Sequence, residues 1–109
     1  MPPVVVAQLE HLQPGVGVRV RVRFRDYAVW ILADGSARVL DNYCPHIGGP
    51  LSDGPVEDGC VICPWHGWAF DLSSGRRRMV FGDFPGVGAY HAWVQDGQVW
   101  ADLPASSLT

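Results

Sequence analysis

Two short segments contain the residues best suited to chemistry, and each segment has one cysteine and one histidine. The first runs from Cys44 to Gly49 as CPHIGG, and the second runs from Cys63 to Trp68 as CPWHGW. Proline and glycine in both segments are typical of tight loops rather than of helices or strands. If the fold brings the two loops together, two thiolates and two imidazoles surround one point. Such a ligand set suits a transition metal, and the mixture of cysteine and histidine suits iron and sulfur.

The paired pattern Cys-x-His and Cys-x-x-His, with a proline after each cysteine, resembles the signature of Rieske proteins. This resemblance implies a 2Fe-2S cluster in which Cys44 and Cys63 bind one iron and His46 and His66 bind the other. It also implies an all-β fold, an antiparallel Rieske-like β-sandwich or barrel with a small cluster-binding subdomain. We therefore expect a single Rieske domain over residues 1–109, with the cluster-binding subdomain at about 43–71.

Two other interpretations of the same residues are open at this point. A structural zinc site usually takes its cysteine pair from one loop and its histidine pair from another, whereas here each loop supplies one of each. A disulfide between Cys44 and Cys63 would leave the histidine spacing unexplained. The third cysteine, Cys60, lies in an apolar run before Cys63, so we expect a buried and inert thiol.

Length and composition bound the class of protein. The 109 residues include 48% hydrophobic and 17% charged residues, and 13 glycines and 9 prolines favour short strands and turns. The first residues lack the basic and apolar regions of a secretory signal, and no run approaches the roughly 20 apolar residues of a membrane span. We therefore expect a soluble cytoplasmic protein. Its net charge of -3 makes nucleic acid an improbable partner.

Alternation of apolar and charged residues predicts the first long strand. Between Val18 and Arg25 the valines and Phe24 would form a buried face, and the four arginines would form an opposite, solvated face. We expect Asp26-Tyr27 to turn the chain into a buried strand over 28–32. Asp34-Gly35 is typical of a hairpin turn.

Three later segments also carry predictions. Residues 57–59 are expected to begin the strand that leads to Cys63, and residues 87–94 and 98–103 are expected to form a final hairpin around Asp96-Gly97. The resemblance to Rieske domains suggests that residues 82–86 form a third, proline-containing loop over the cluster. His11 and His91 are far from both motifs and are expected to be ordinary surface or strand histidines.

A cluster with four protein ligands has no open coordination position, so the chemistry implied is electron transfer and not catalysis on a bound substrate. The resemblance implies a monomeric Rieske ferredoxin that carries single electrons from a flavin-dependent NAD(P)H reductase to a terminal oxygenase. The alternative is the Rieske-type small subunit of an assimilatory nitrite reductase. A Rieske oxygenase also needs a mononuclear iron site of two histidines and a carboxylate, and only His91 follows His66 here.

The second loop also bears on the reduction potential. High-potential respiratory Rieske proteins resemble this chain but have hydroxyl side chains at the positions of Trp68 and Phe70, and extra cysteines at those of Gly49 and Trp65. Without hydroxyl donors, negative charge on the sulfur atoms is less stabilised. We therefore predict a potential near the lower end of the roughly -150 to +300 mV range of Rieske centres.

Overall fold

The computed structural model describes residues 2–45, 48–79, 82–84 and 86–104, and for 82–84 it describes the backbone only. Within these residues the regular structure consists of twelve β-strands and two 3-10 turns, at Leu9–His11 and Leu51–Asp53. The strands in chain order are β1 (Val4–Gln8), β2 (Val18–Val22), β3 (Arg25–Ile31), β4 (Ala37–Asp41), β5 (Val56–Glu57), β6 (Cys60–Ile62), β7 (Ala69–Asp71), β8 (Arg77–Met79), β9 (Gly82–Phe84), β10 (Ala89–Tyr90), β11 (Ala92–Gln95) and β12 (Gln98–Ala101). All of these strands pair in antiparallel fashion, so the predicted all-β class is confirmed. No helix in the described ranges is long and apolar enough to cross a membrane.

The strands form three sheets around two apolar clusters. The sheets have the orders β1-β12-β11, β10-β4-β3-β2 and β5-β6-β7-β8-β9. Strand β3 contributes to both clusters. Tyr27, Val29 and Ile31 pack with β1, β4 and β12, whereas Ala28 and Trp30 pack with the β5–β9 sheet and the two cysteine loops. A strand that is buried on both faces has apolar residues at consecutive positions. This pattern explains why the sequence predicted β3 well.

The hairpin between β2 and β3 turns earlier than the sequence predicted. Val22 pairs with Arg25, so Arg23-Phe24 forms a two-residue turn with φ values of 50° and 70°. The predicted turn at Asp26-Tyr27 is therefore wrong, because both residues lie within β3. Phe24 is 68% exposed and does not extend the buried face. Tight hairpin turns of this kind normally carry Asn-Gly or Asp-Gly, and neither marks this one.

The prediction of an exposed arginine face is confirmed for two of its four arginines. Arg19 and Arg21 are exposed on β2, as expected from the alternation. Arg23 lies in the turn, and Arg25 begins β3, where it contacts the carboxylate of Asp41 at 3.2 Å.

Two later predictions also need correction. In each case the structure has two strands where the sequence predicted one. Val56–Glu57 and Cys60–Ile62 form a hairpin, with left-handed φ values at the turn residues Asp58 and Gly59. Near the end of the chain, Ala89–Tyr90 pairs with β4, and the chain then leaves that sheet so that Ala92–Gln95 pairs with β12. The predicted hairpin partner of β12 therefore begins at Ala92 and not at residue 87.

The third loop expected from the Rieske resemblance is partly replaced by a strand. Gly82–Phe84 pairs with β8 as an edge strand of the β5–β9 sheet. Pro85, the proline expected over the cluster, lies outside the described residues.

Candidate metal centre

The first cysteine loop is closed by backbone hydrogen bonds on both sides of Cys44. The Cys44 amide donates to the carbonyl of Gly49 at 2.9 Å, and the amide of Gly48 donates to the Cys44 carbonyl at 2.8 Å. Gly48 has a φ of 78°, a left-handed conformation that is costly for residues with a Cβ. Tyr43 and Pro50 form an antiparallel bridge at the base of the loop.

The second cysteine loop repeats this geometry. The Cys63 amide donates to the carbonyl of Trp68 at 2.8 Å, and the amide of Gly67 donates to the Cys63 carbonyl at 2.9 Å. Gly67 has a φ of 79°. Each loop therefore has a left-handed glycine four residues after its cysteine, and two backbone hydrogen bonds of the cysteine hold the loop closed.

The two loops bring three of the four predicted ligands together. The Sγ atoms of Cys44 and Cys63 and a ring nitrogen of His66 lie within 4.8 Å of one another. The two cysteines are only 2% and 1% exposed, and His66 is partly buried. Its Nε2 lies 3.0 Å from the Sγ of Cys44, and the backbone amide of Trp68 donates to its Nδ1 at 3.2 Å. The fourth predicted ligand, His46, lies outside the described residues.

The remaining cysteine and histidines stay outside this group. Cys60 is buried on β6, as predicted for a packed thiol, and the cluster of ligand atoms does not include it. His11 and His91 are exposed, in agreement with the expectation of ordinary surface histidines.

The surroundings of the thiols fit an iron–sulfur group. Cys44 and Cys63 are thiols without a disulfide and belong to the apolar cluster around Trp30 and Phe70. Space beside Cys63 depends on Gly49, because a Cβ there would lie 2.5 Å from the Cys63 Sγ. No carboxylate of the described chain joins the group, so the atoms that could bind a metal are thiol sulfur and imidazole nitrogen, which suit iron–sulfur chemistry.

Aromatic and cationic side chains surround the imidazole. The rings of His66 and Trp68 have centroids 4.7 Å apart, and the guanidinium carbon of Arg77 lies 3.1 Å from the Trp68 ring centroid. Phe70 is fully buried, whereas Trp65 is 60% exposed. The sequence analysis missed Arg77, because three consecutive arginines at 76–78 carry no signal for which one faces the site.

An antiparallel β fold that holds buried thiols and an imidazole between two matching loops defines a Rieske-type domain. Residues 2–82 match the family model of the Rieske [2Fe-2S] domain, and the chain belongs to this family. Its cofactor is therefore a 2Fe-2S cluster, and the zinc and disulfide interpretations are excluded.

Solved structures of similar fold include small electron-transfer proteins and subunits. The ferredoxin of carbazole 1,9a-dioxygenase from Nocardioides aromaticivorans IC177 has a TM-score of 0.81 and 28% identity, covering 93% of this chain and 97% of that one. A putative NADH-dependent nitrite reductase small subunit from Mycobacterium tuberculosis has a TM-score of 0.84 and 28% identity, covering 95% and 96%.

Curated relatives are mostly much longer proteins. Cholesterol 7-desaturase nvd 1 from Ciona intestinalis is 43% identical over 63 residues, which are 57% of this chain and 13% of that protein. The chain spans about a tenth to a fifth of the length of the curated relatives that it matches.

Proposed function

We propose that this protein is a Rieske ferredoxin that passes single electrons from a flavin-dependent NAD(P)H reductase to a terminal oxygenase. Cys44, Cys63, His46 and His66 would hold the 2Fe-2S cluster, which when bound stores and releases one electron. The protein acts on no substrate of its own in this proposal. We further propose that it works as a monomer in the cytoplasm.

The burial of the three described ligands is the observation that carries the proposal. The thiols of Cys44 and Cys63 are enclosed, whereas the imidazole of His66 is partly exposed and follows the exposed Trp65 in sequence. The imidazole of His66 therefore gives an electron a short path between the site and the surface. A partner that docks at this end can exchange an electron without opening the fold.

The surface beside the site favours a transient partner over a permanent one. Tyr43 and Trp65 line a groove together with Arg19, Ser52 and Asp53, so the groove contains both aromatic and charged side chains. Permanent subunit interfaces are usually larger and more uniformly apolar. This mixture supports a diffusing carrier.

The structural neighbours are consistent with two partner classes. A complex of reduced oxygenase and oxidized ferredoxin in carbazole 1,9a-dioxygenase contains a chain with a TM-score of 0.76 and 26% identity to this one. The nitrite reductase small subunit supports the alternative, a Rieske-type subunit of an assimilatory nitrite reductase. We favour the oxygenase because of the mixed groove.

The partner experiment separates these two classes. Purified holoprotein is mixed with the reductase and oxygenase of an aromatic-ring hydroxylating system, and separately with a nitrite reductase large subunit. We expect NADH oxidation that depends on aromatic substrate and saturates with the concentration of the carrier, without co-elution in size-exclusion chromatography. Stable co-elution with the large subunit and nitrite-dependent NADH oxidation would instead support the subunit.

The ligand assignment has its own test, for which the chain supplies matched controls. Alanine at Cys44, Cys63, His46 or His66 should each abolish the cluster, because every ligand is needed to hold both irons. Alanine at Cys60, His11 or His91 should leave it intact. The measurements are iron and acid-labile sulfide content, with EPR of the dithionite-reduced protein. A full cluster in the His46→Ala variant would contradict the assignment.

A further inference from the structure

Arg77 is a partly buried arginine whose charge no carboxylate compensates in the described part of the chain. It lies on β8 opposite Phe70 of β7. Its Nε is buried and has no hydrogen-bond partner among the described residues. The ion pairs of the described arginines involve Arg21, Arg25 and Arg78, but not Arg77. Solvent screens a partly buried guanidinium less than a fully exposed one, so its charge acts more strongly on nearby groups.

The guanidinium is held by an aromatic ring. Its carbon lies 3.1 Å from the centroid of the Trp68 ring, which is the distance of direct stacking on the π face. Arginine suits this contact because its head group is planar and weakly hydrated. The neighbouring Arg78 differs, since it donates to Asp71 Oδ2 at 3.0 Å and its side chain is 53% exposed.

The same ring contacts the proposed ligand. The centroids of Trp68 and His66 are 4.7 Å apart with an interplanar angle of 56°, and His66 Nε2 lies 3.0 Å from the Sγ of Cys44. Arg77, Trp68 and His66 therefore form a continuous row of side-chain contacts from β8 to the thiols. The charge at one end of this row lies close enough to act on the site.

We propose that Arg77 is a positioning residue that raises the reduction potential of the site. Reduction adds one electron and hence one negative charge, which a nearby uncompensated cation stabilises relative to the oxidised state. Arg77 itself gains and loses neither electron nor proton, and its stacking fixes Trp68 against His66. This inference rests on the proposed ligand role of His66 but not on the identity of the partners.

The test compares two adjacent arginines in the isolated holoprotein. Arg77→Met removes the charge and keeps most of the side-chain volume, Arg77→Lys keeps the charge without the planar stack, and Arg76→Met removes a charge from an exposed neighbour. Reduction potentials are measured by redox titration followed by circular dichroism. We expect a lower potential for Arg77→Met, an intermediate value for Arg77→Lys, and the wild-type value for Arg76→Met.

Two further readouts separate an electrostatic effect from damage to the site. The EPR g values should be unchanged in the Arg77 variants, because the ligands stay in place. The difference between Arg77→Met and wild type should persist in about 1 M salt, where exposed charges are screened within roughly 3 Å.

The inference is overturned if Arg77→Met has the wild-type potential, or if Arg76→Met shifts the potential equally. If Arg77→Met does not retain a cluster, Arg77→Lys is compared with Arg76→Lys. A lower potential in Arg77→Lys supports the inference, and equal potentials overturn it. None of these measurements uses a reductase or an oxygenase, so a wrong partner assignment would not affect them.

Discussion

Gly49 is the residue on which the space beside Cys63 depends. A Cβ at this position would lie 2.5 Å from the Cys63 Sγ and 3.2 Å from Cγ of the Trp65 ring. The Cys63 thiol is enclosed, at 1% exposure, and cannot move away without disturbing the site. The loop therefore needs glycine here for space, whereas Gly48 needs glycine for its left-handed backbone.

We predict that Gly49→Ala reduces the bound iron and acid-labile sulfide. The added methyl group displaces the Cys63 Sγ from its position beside Cys44. Overpacking of this kind costs about 1–3 kcal/mol of folding free energy. Iron and sulfide analysis of purified protein, alongside urea denaturation, measures both effects.

Gly88→Ala is the matched control, because a Cβ there would lie 2.5 Å from the Tyr90 hydroxyl and 2.8 Å from Asp41 Oδ2. It should destabilise the fold similarly but leave the cluster content unchanged. Full cluster occupancy in Gly49→Ala would show that the loop can adjust.

Residue types predicted the centre better than its surroundings. Cys44, Cys63 and His66 could be found because ligand chemistry fixes both their types and their local spacing, and the structure brings them together. Arg77 could not be found, because its contact with Trp68 depends on the pairing of β7 with β8 and not on local spacing.

At the scale of elements, strands were predicted where burial determines their sequence and missed where a turn lacks its usual residues. Strand β3 is apolar on both faces because it lies between two clusters. The β2–β3 turn at Arg23-Phe24 has none of the glycine or asparagine that left-handed turn residues favour. The split of residues 87–94 into β10 and β11 depends on long-range pairing with two different sheets, which periodicity cannot reveal.

The turn between β7 and β8 is stabilised by Asp71. Its Oδ1 accepts hydrogen bonds from the Ser73 hydroxyl at 2.6 Å, from the Ser73 amide at 2.8 Å and from the Ser74 amide at 3.0 Å, and Arg78 donates to its Oδ2 at 3.0 Å. The Ser73 hydroxyl is the main cause that lowers the pKa of Asp71 from 3.8 to about 2. The ionised carboxylate therefore stabilises the folded state.

We predict that Asp71→Asn lowers the free energy of unfolding at neutral pH by about 1 kcal/mol, once solvent screening is allowed for. Because the folded-state pKa is the lower one, this stabilisation is present above about pH 4 and is lost as pH falls toward about 2. Urea denaturation at several pH values measures the difference in the free energy of unfolding between wild type and variant.

The exposed Asp102→Asn serves as the control for this series and should follow the wild-type curve. A gap between Asp71→Asn and wild type that stays constant down to about pH 2 would contradict the assigned pKa.

At the scale of the whole molecule, the environment of the cluster favours a low reduction potential. The described thiols lie in an apolar cluster, and the residues at the hydroxyl positions of high-potential Rieske proteins are Trp68 and Phe70, which have no hydroxyl group. The net charge of -3 also opposes the addition of an electron. Arg77 offsets only part of this effect.

We predict a potential near the lower end of the roughly -150 to +300 mV range of Rieske centres. Redox titration of the purified holoprotein measures it directly. A value above about +200 mV would contradict the prediction, because it would require hydrogen-bond donors to sulfur that these two aromatic residues do not supply.

The pairing of β1 with β12 has a topological consequence. Val4 lies opposite Ala101, so the start of β1 and the end of β12 lie side by side at the same end of one sheet. A short peptide link could join these two strands, and new ends could be opened at the exposed hairpin around Gly35, which lies outside both cysteine loops. Such a circular permutant should assemble the same cluster. Cluster assembly would then depend on the arrangement of the strands in space and not on their order along the chain.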